Sequence, residues 1–203
     1  MASFIHSWKF QKEDSRELQS GYFSTMYTTL PLQSLKQNVD FALSIAWSYT
    51  ARKLGCDESE VRLDWKPGET CVWVRKRSSD NLHSRKLHSF TRQELMRLIG
   101  WLVDNTFLLN AGVCRRQKIG LPMGTNCAPA LCNLCLFTWE YKYVERLVNT
   151  GQVDTARNHH MTFRLIDDVL LVGKPLADKF FSSCYPSFLT LNETTLEDGS
   201  VTF

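Results

Sequence analysis

Residues 164–171 read RLIDDVLL, which sets two adjacent carboxylates, Asp167 and Asp168, between two apolar runs. Side chains alternate between the two faces of a strand, so two consecutive acids in mid-strand cannot share the solvated face. The pattern therefore predicts a β-hairpin over residues 161–172 with both aspartates at its turn. Paired carboxylates at a tight turn suit Mg²⁺, which prefers hard oxygen ligands. A solvated Asp-Asp turn is the alternative, and these residues alone leave both interpretations open.

The remainder of the chain mixes segments of strand and helix periodicity. Strands are predicted within residues 18–30, 61–77, 106–116, 187–191 and 200–203. Helices are predicted from residue 32 to a stop at Gly55, after the capping box that Thr91 forms with Glu94, over 128–148, and over 175–184. A basic loop is expected between residues 75 and 88. Hairpins in place of a strict βαβ alternation indicate an α+β fold with a largely antiparallel sheet.

Composition limits the class of protein without naming a function. The chain has 203 residues, 43% of them apolar, with 24 Lys and Arg against 21 Asp and Glu, for a net charge of +3. This is globular composition, and it excludes a disordered tail, a collagen-like rod and a disulfide miniprotein. The length fits one large domain or two small ones. The charge is too small to diagnose nucleic-acid binding.

The seven cysteines are expected to be reduced thiols, because the first residues show no signal peptide. Cys132 and Cys135 have the spacing of metal ligands. They lie inside an apolar helical run, however, where a buried cysteine acts as a small hydrophobe, so packing is favoured over zinc. No apolar stretch is long enough for a membrane span.

A second feature is the glycine-punctuated segment over residues 117–130, which reads QKIGLPMGTNCAPA. Gly120 and Gly124 would let the backbone approach a ligand closely, and a loop that leads into a helix N-terminus can support a phosphate or a stacked base. The segment is not a Walker loop. A plain connector between strand and helix is the alternative that the residues leave open.

A third feature is the segment YFSTMYTTLP over residues 22–31, which alone indicates no more than an aromatic core strand. In this order, however, the three segments resemble motifs A, B and C of reverse transcriptases, and most of all the Penelope-like group related to telomerase. The resemblance rests on residues 22–31 for motif A, 117–130 for motif B and 164–170 for motif C. It covers residues 18–203, preceded by a lead-in over residues 1–17 that is expected to be poorly ordered.

The resemblance implies a polymerase palm, an antiparallel sheet packed on helices, with RNA-directed DNA polymerase activity. In this family a primer 3′-OH attacks the α-phosphate of a dNTP between two Mg²⁺ ions. Asp167 and Asp168 would be catalytic and hold the metal, and Tyr27 would be the steric gate against a 2′-OH. The other implied nucleotide-binding residues are Phe23, Gln117, Gly120, Pro122, Met123 and Gly124.

The implied partners are an RNA template and a DNA primer, which Arg115, Arg116 and Lys118 would contact. The oligomeric state is left open. The expected location is intracellular, and nuclear if the protein acts on chromosomal DNA.

One departure from the family pattern affects the chemistry. The aspartate of motif A is replaced by Tyr22, and a tyrosine side chain without a carboxylate charge is a poor Mg²⁺ ligand. Glu17 is five residues away, which is some 16 Å along a strand, so local compensation is not expected. Fingers and thumb are also expected to be largely absent. We therefore expect an inactive or impaired polymerase domain.

Two alternatives remain. The first is a non-catalytic nucleic-acid-binding module derived from the palm, for which the basic residues of segment 75–86 and of the strand before motif B argue. A solvated basic loop is the simpler interpretation of residues 75–86. The second is a fragment without a stable independent fold, because its last strands would lack neighbours and expose their edges.

Overall fold

The computed structural model describes residues 18–76, 88–121, 124–158, 162–172 and 177–194. It divides the chain into two compact units. Of the described residues, the first unit contains 18–24 and those from 146 onward, and the second contains 25–145. Helices and antiparallel sheets are mixed, as the α+β prediction requires. The predicted lead-in over residues 1–17 and the predicted strand over 200–203 lie outside the described residues.

The first unit is built on a four-stranded antiparallel sheet with the strand order β7-β8-β1-β9. Its strands are β1 (Leu18–Phe23), β7 (Thr162–Leu165), β8 (Asp168–Val172) and β9 (Leu191–Glu193). Its helices are α5 (Val153–Asn158) and α6 (Ala177–Cys184), together with the last residues of α4 (Ala128–Asn149).

One face of this sheet carries the core of the first unit. Val169 and Leu171 on β8 are buried, as is Phe23 on β1. The register places these side chains on the same face, because cross-strand partners of an antiparallel pair point the same way. The Phe23 ring packs edge-on against Tyr185, just after α6, with centroids 4.9 Å apart. Aromatic packing of this kind joins helix and sheet.

The second unit is organised around helix α2 (Leu32–Leu54), which follows the short helix α1 (Met26–Thr29) and ends before Gly55, as predicted. Its apolar face is fully buried at Leu35 and Val39. The side-chain amide of Asn38 donates to the Cys135 sulfur at 3.3 Å, and the Thr138 hydroxyl donates to the Asn38 carbonyl at 2.7 Å.

Cys132 and Cys135 are both buried on α4, which confirms their predicted role in packing. Because buried polar groups need partners, the bonds of Asn38 fix α2 on α4.

A three-stranded antiparallel sheet in the second unit has the order β3-β2-β4, with β2 (Val61–Trp65), β3 (Val72–Arg75) and β4 (His88–Phe90). The Trp47 indole of α2 donates to the Val61 carbonyl at 3.2 Å, which ties this sheet to the helix. The hairpin predicted over 61–77 is confirmed. The basic loop predicted over 75–88 is wrong at both ends, because Arg75 ends β3 and His88 opens β4; residues 77–87 lie outside the described residues.

Helix α3 (Arg92–Asp104) follows β4 and begins at the predicted capping box. The Thr91 hydroxyl accepts from the Glu94 amide at 3.1 Å, and the Glu94 carboxylate accepts from the Thr91 amide at 2.8 Å. The Glu94 carboxylate accepts from the Thr91 amide and also from the Thr91 hydroxyl, and these two bonds to the charged form lower the pKa of Glu94, the backbone donor being the larger cause. The hairpin of β5 (Phe107–Asn110) and β6 (Val113–Arg116) comes next, as predicted.

The strand predicted over 187–191 is wrong. The Leu189 amide donates to the Pro186 carbonyl at 3.0 Å, so residues 186–189 form a turn and β9 begins only at Leu191. This turn ends the segment that follows α6, so the apolar residues of 187–189 do not continue as a strand. In the described part of the chain, no helix is long and apolar enough to cross a membrane.

Candidate active site

The hairpin of β7 and β8 contains the adjacent aspartates Asp167 and Asp168. Leu165 pairs with Asp168, so the turn consists of Ile166 and Asp167. Ile166 has a φ of 58°, the sign that a type II′ turn requires at its first central residue, where glycine is usual. A β-branched residue in this region is a genuine outlier that costs about 1–3 kcal/mol. Such strain is typical of sites where the backbone has a functional task.

The two aspartates are not equivalent. Asp167 is in the turn and half-buried, whereas Asp168 is exposed and is the first residue of β8. The prediction that both lie in the turn is therefore wrong for Asp168, because its pairing with Leu165 extends the strand by one residue. The Arg164 guanidinium donates to the Ile166 carbonyl at 3.0 Å and fixes the turn.

Strand β1 brings the motif A segment directly beside these aspartates. Tyr22 is the cross-strand partner of Asp168, and the Phe23 amide donates to the Asp167 carbonyl at 2.9 Å. Asn192 on β9 is the partner of Tyr22 on its other side. The row Leu165, Asp168, Tyr22 and Asn192 thus crosses one sheet face, and Tyr22 is 39% exposed on it.

This donor set does not fit two metal ions. Mg²⁺ can be bound through one or two carboxylates with water completing its shell, so Asp167 and Asp168 are enough for one ion at most. A pair of ions needs a further carboxylate between them, and the neighbouring position holds the neutral phenol of Tyr22. Among the described residues, no group of three His, Cys, Asp or Glu side chains could hold a metal.

A second cluster, within the second unit, joins the predicted nucleotide-binding residues Tyr27 and Gly120. The Gly120 amide donates to the Leu30 carbonyl, and the Leu121 amide donates to the Tyr27 carbonyl, both at 2.8 Å. Gly120 has a φ of +74°, and a Cβ there would lie 2.2 Å from the Tyr27 carbonyl oxygen. Only glycine permits this approach, so the residue type fixes the motif B backbone on α1 and the residues that follow it.

The other residues predicted to bind nucleotide differ in their exposure and in their hydrogen bonds. The Gln117 side chain donates to the Ile119 carbonyl at 2.9 Å, while its buried carbonyl oxygen has no partner among the described residues. Gly124 is exposed in the segment before α4. The ring of Phe23 lies in the core, on the sheet face opposite Tyr22. Pro122 and Met123 lie outside the described residues.

The predicted nucleic-acid contacts lie at and after β6. Arg115, Arg116 and Lys118 are all exposed. The Arg116 guanidinium donates to the Asp104 carbonyl, and none of the three forms an ion pair within the described part of the chain.

Arg75, at the end of β3, differs from these cations because it pairs with Glu60 at 2.8 Å. This hydrogen bond raises the pKa of Arg75 and lowers that of Glu60. Arg75 is therefore a weaker candidate for contacting phosphate than the β6 cations.

Sequence reasoning did not identify Asn192, the neighbour of Tyr22, because its strand was predicted four residues too early. Comparison of the chain with family models, with curated proteins and with solved structures finds no match.

Proposed function

We propose that this chain is a reverse transcriptase palm, an RNA-directed DNA polymerase domain by descent, in which Tyr22 prevents nucleotidyl transfer. Its substrates by descent are an RNA template, a DNA primer and a dNTP. The observation that carries the proposal is the register of the central strands, in which Tyr22 of motif A lies opposite Asp168 of motif C. These positions are far apart in sequence and were linked only by the family resemblance.

The register supports the proposal because phosphoryl transfer with two metals needs carboxylates that converge from separate strands. A chance Asp-Asp turn would have no reason to pair with the position where the family carries its third carboxylate. The left-handed Ile166 adds support, since a strained turn is retained where the surrounding structure holds it in place.

The contact between motifs A and B supports the proposal independently. The residues that the family uses around the incoming nucleotide, Tyr27 and Gly120, are held together by backbone hydrogen bonds at Tyr27 and Leu30. Gly120 cannot be exchanged for a larger residue without displacing the Tyr27 carbonyl. A plain connector between a strand and a helix would not need this contact.

We expect the loss of activity because the site lacks one negative charge. Replacing a carboxylate with a neutral phenol removes one negative charge from a site that would bring two divalent ions to within about 4 Å of each other. We expect Asp167 and Asp168 to bind a single Mg²⁺ weakly and to leave the second position unsupported.

Primer extension on poly(rA)·oligo(dT) with Mg²⁺ or Mn²⁺ tests the proposal. The unaltered chain should give no extension, and Tyr22→Asp should give measurable extension. Tyr22→Asn is the matched control, since it removes the ring without adding charge. Titration with Mn²⁺ followed by electron paramagnetic resonance should show binding at least tenfold tighter in Tyr22→Asp than in Tyr22→Asn.

Clear extension by the unaltered chain would contradict the predicted inactivity. Equal Mn²⁺ affinity in Tyr22→Asp and Tyr22→Asn would contradict the assignment of the metal site, whatever the extension assay shows.

A non-catalytic nucleic-acid-binding module is the second candidate, and the replacement at Tyr22 favours it. Exposed Arg115, Arg116 and Lys118 would supply phosphate contacts. Binding to duplex DNA should then weaken with salt, with a logarithmic slope near −0.9 for each contact. Affinity that is independent of salt would count against this candidate.

A further inference from the structure

The hairpin of β5 and β6 has no neighbouring strand among the described residues. All eight of its residues are exposed, including Leu109 at 78% and Val113 at 51%. A two-stranded hairpin open on both faces is marginally stable in water. The hairpin therefore lacks the packing that would stabilise it.

Large exposed apolar side chains are frequent in this hairpin and in the chain on either side of it. Those on α3, β5 and the residues after β6 are Leu98, Trp101, Leu102, Phe107, Leu108, Leu109 and Ile119. Single exposed apolar residues are normal, but so many in consecutive elements of the chain are typical of a segment that binds a partner.

The outer edge of β6 offers backbone donors at known positions. The turn residues Ala111 and Gly112 have φ values of 49° and 78°, as in a type I′ turn, so Asn110 and Val113 form the closing hydrogen-bonded pair. Pairs then alternate along the hairpin, and the bond from the Gln117 amide to the Thr106 carbonyl at 2.9 Å follows this alternation. The amides of Cys114 and Arg116 therefore point outward.

The positive charge at this edge indicates which kind of partner the edge can bind. Arg115 and Arg116 are consecutive, so they present guanidinium groups on both faces of the edge. Neither forms an ion pair in the described part of the chain. A second copy of the same edge would oppose arginine with arginine, which is unfavourable. The apolar side chains around it favour a protein strand over nucleic acid.

We propose that the outer edge of β6 pairs with an extended strand of a partner protein that carries two consecutive acidic residues flanked by apolar ones. The outward amides of Cys114 and Arg116 bond to the partner backbone, and the two arginines pair with its carboxylates. Strand addition of this kind takes affinity from the backbone and specificity from the side chains. The inference does not depend on polymerase activity.

Fluorescence anisotropy with two labelled peptides, Thr-Val-Glu-Glu-Val-Thr and Thr-Val-Lys-Lys-Val-Thr, tests the proposal on the full chain at low salt. We expect the acidic peptide to bind at least tenfold tighter than the basic one. The double variant Arg115→Glu with Arg116→Glu should invert this preference. Cys114→Pro removes one outward amide and should weaken binding at least fivefold, whereas Leu109→Pro, on the opposite edge, should leave it unchanged.

Three results would overturn the proposal. The first is binding of neither peptide. The second is binding of a labelled (dT)12 oligonucleotide in preference to the acidic peptide, which would make the edge a nucleic-acid surface. The third is self-association that Cys114→Pro abolishes, which would make the occupant a second copy. If Cys114→Pro does not fold, inversion by the charge-reversed variant decides alone.

Discussion

The two hairpins β5–β6 and β7–β8 have turns of the same length and opposite surroundings. The turn of β5–β6 places Ala111 and Gly112 in left-handed conformations, and glycine occupies only the second of the two positions. The turn of β7–β8 places Ile166 in a left-handed conformation, yet its strand β8 carries the fully buried Val169. One hairpin has a milder turn, with an alanine and a glycine at positive φ, and no neighbouring strand among the described residues; the other has a β-branched residue at positive φ and neighbouring strands that maintain it.

The difference separates two sources of hairpin stability. The stability of the β5–β6 hairpin depends on the conformational preference of its turn residues and on the contacts that attach its base to the rest of the second unit. In β7–β8, burial in a four-stranded sheet outweighs a strained turn. Strain of about 1–3 kcal/mol persists only where surrounding contacts over-determine it. Substitutions can therefore distinguish attachment, burial and turn chemistry.

The largest expected effect concerns the attachment of β5–β6 through Gly120. Gly120→Ala should lower the free energy of unfolding by about 3 kcal/mol or more, because a left-handed alanine is strained and its Cβ would overlap the Tyr27 carbonyl. Gly112→Ala is the control, since its φ is similar at +78° but no atom lies within 4 Å of the added Cβ. We expect it to cost only about 1 kcal/mol in urea denaturation. Equal losses would mean that the contact with Tyr27 contributes nothing.

The second prediction compares burial in the two hairpins by replacing one valine with alanine in each. Val169→Ala should lower the free energy of unfolding by about 2 kcal/mol, because it leaves a cavity in a fully buried site. Val113→Ala, at a position 51% exposed, should change it by less than about 0.5 kcal/mol. Thermal and urea unfolding measure both, and a larger loss at Val113 would show that β5–β6 is covered in the isolated chain.

The smallest effect concerns turn chemistry. Ile166→Gly should raise the free energy of unfolding by about 1 kcal/mol, since glycine accepts the positive φ without strain. Ala111→Gly should change it by under about 0.5 kcal/mol, because alanine in that region is less strained and glycine adds entropy to the unfolded chain. Destabilisation by Ile166→Gly would mean that the Ile166 side chain contributes more through packing than it costs in backbone strain.

Local signals were enough for several elements. The capping box at Thr91 predicted the start of α3, and the Asn-Ala-Gly sequence predicted the β5–β6 turn, because in both cases the deciding contacts lie within four residues. The aspartate hairpin also followed from alternation. Strand β9 was misplaced because three residues carry little periodicity, and the Pro186 turn before it overrode the apolar pattern.

The sequence predicted individual residues of the candidate site but not how the fold brings them together. The sequence indicated Asp167 and Asp168 as a pair, and Tyr22 as the deviating residue, through the family resemblance. It could not indicate that Asn192 completes the row, because that neighbour depends on the order of strands in the sheet. The local sequence also could not predict the left-handed conformation of Ile166, because the pairing of β8 with its neighbouring strands imposes it.

The pairing of β1 with β8 has a consequence for the order of synthesis. Leu18 pairs with Val172, so β1 waits for a strand that is synthesised after the whole of the second unit. The second unit, by contrast, is one continuous stretch. Contacts so distant in sequence slow folding, because the entropy of closing the loop must be overcome first. On the ribosome the second unit can fold while β1 is still unpaired, and the row with Tyr22 and Asp168 forms only afterwards.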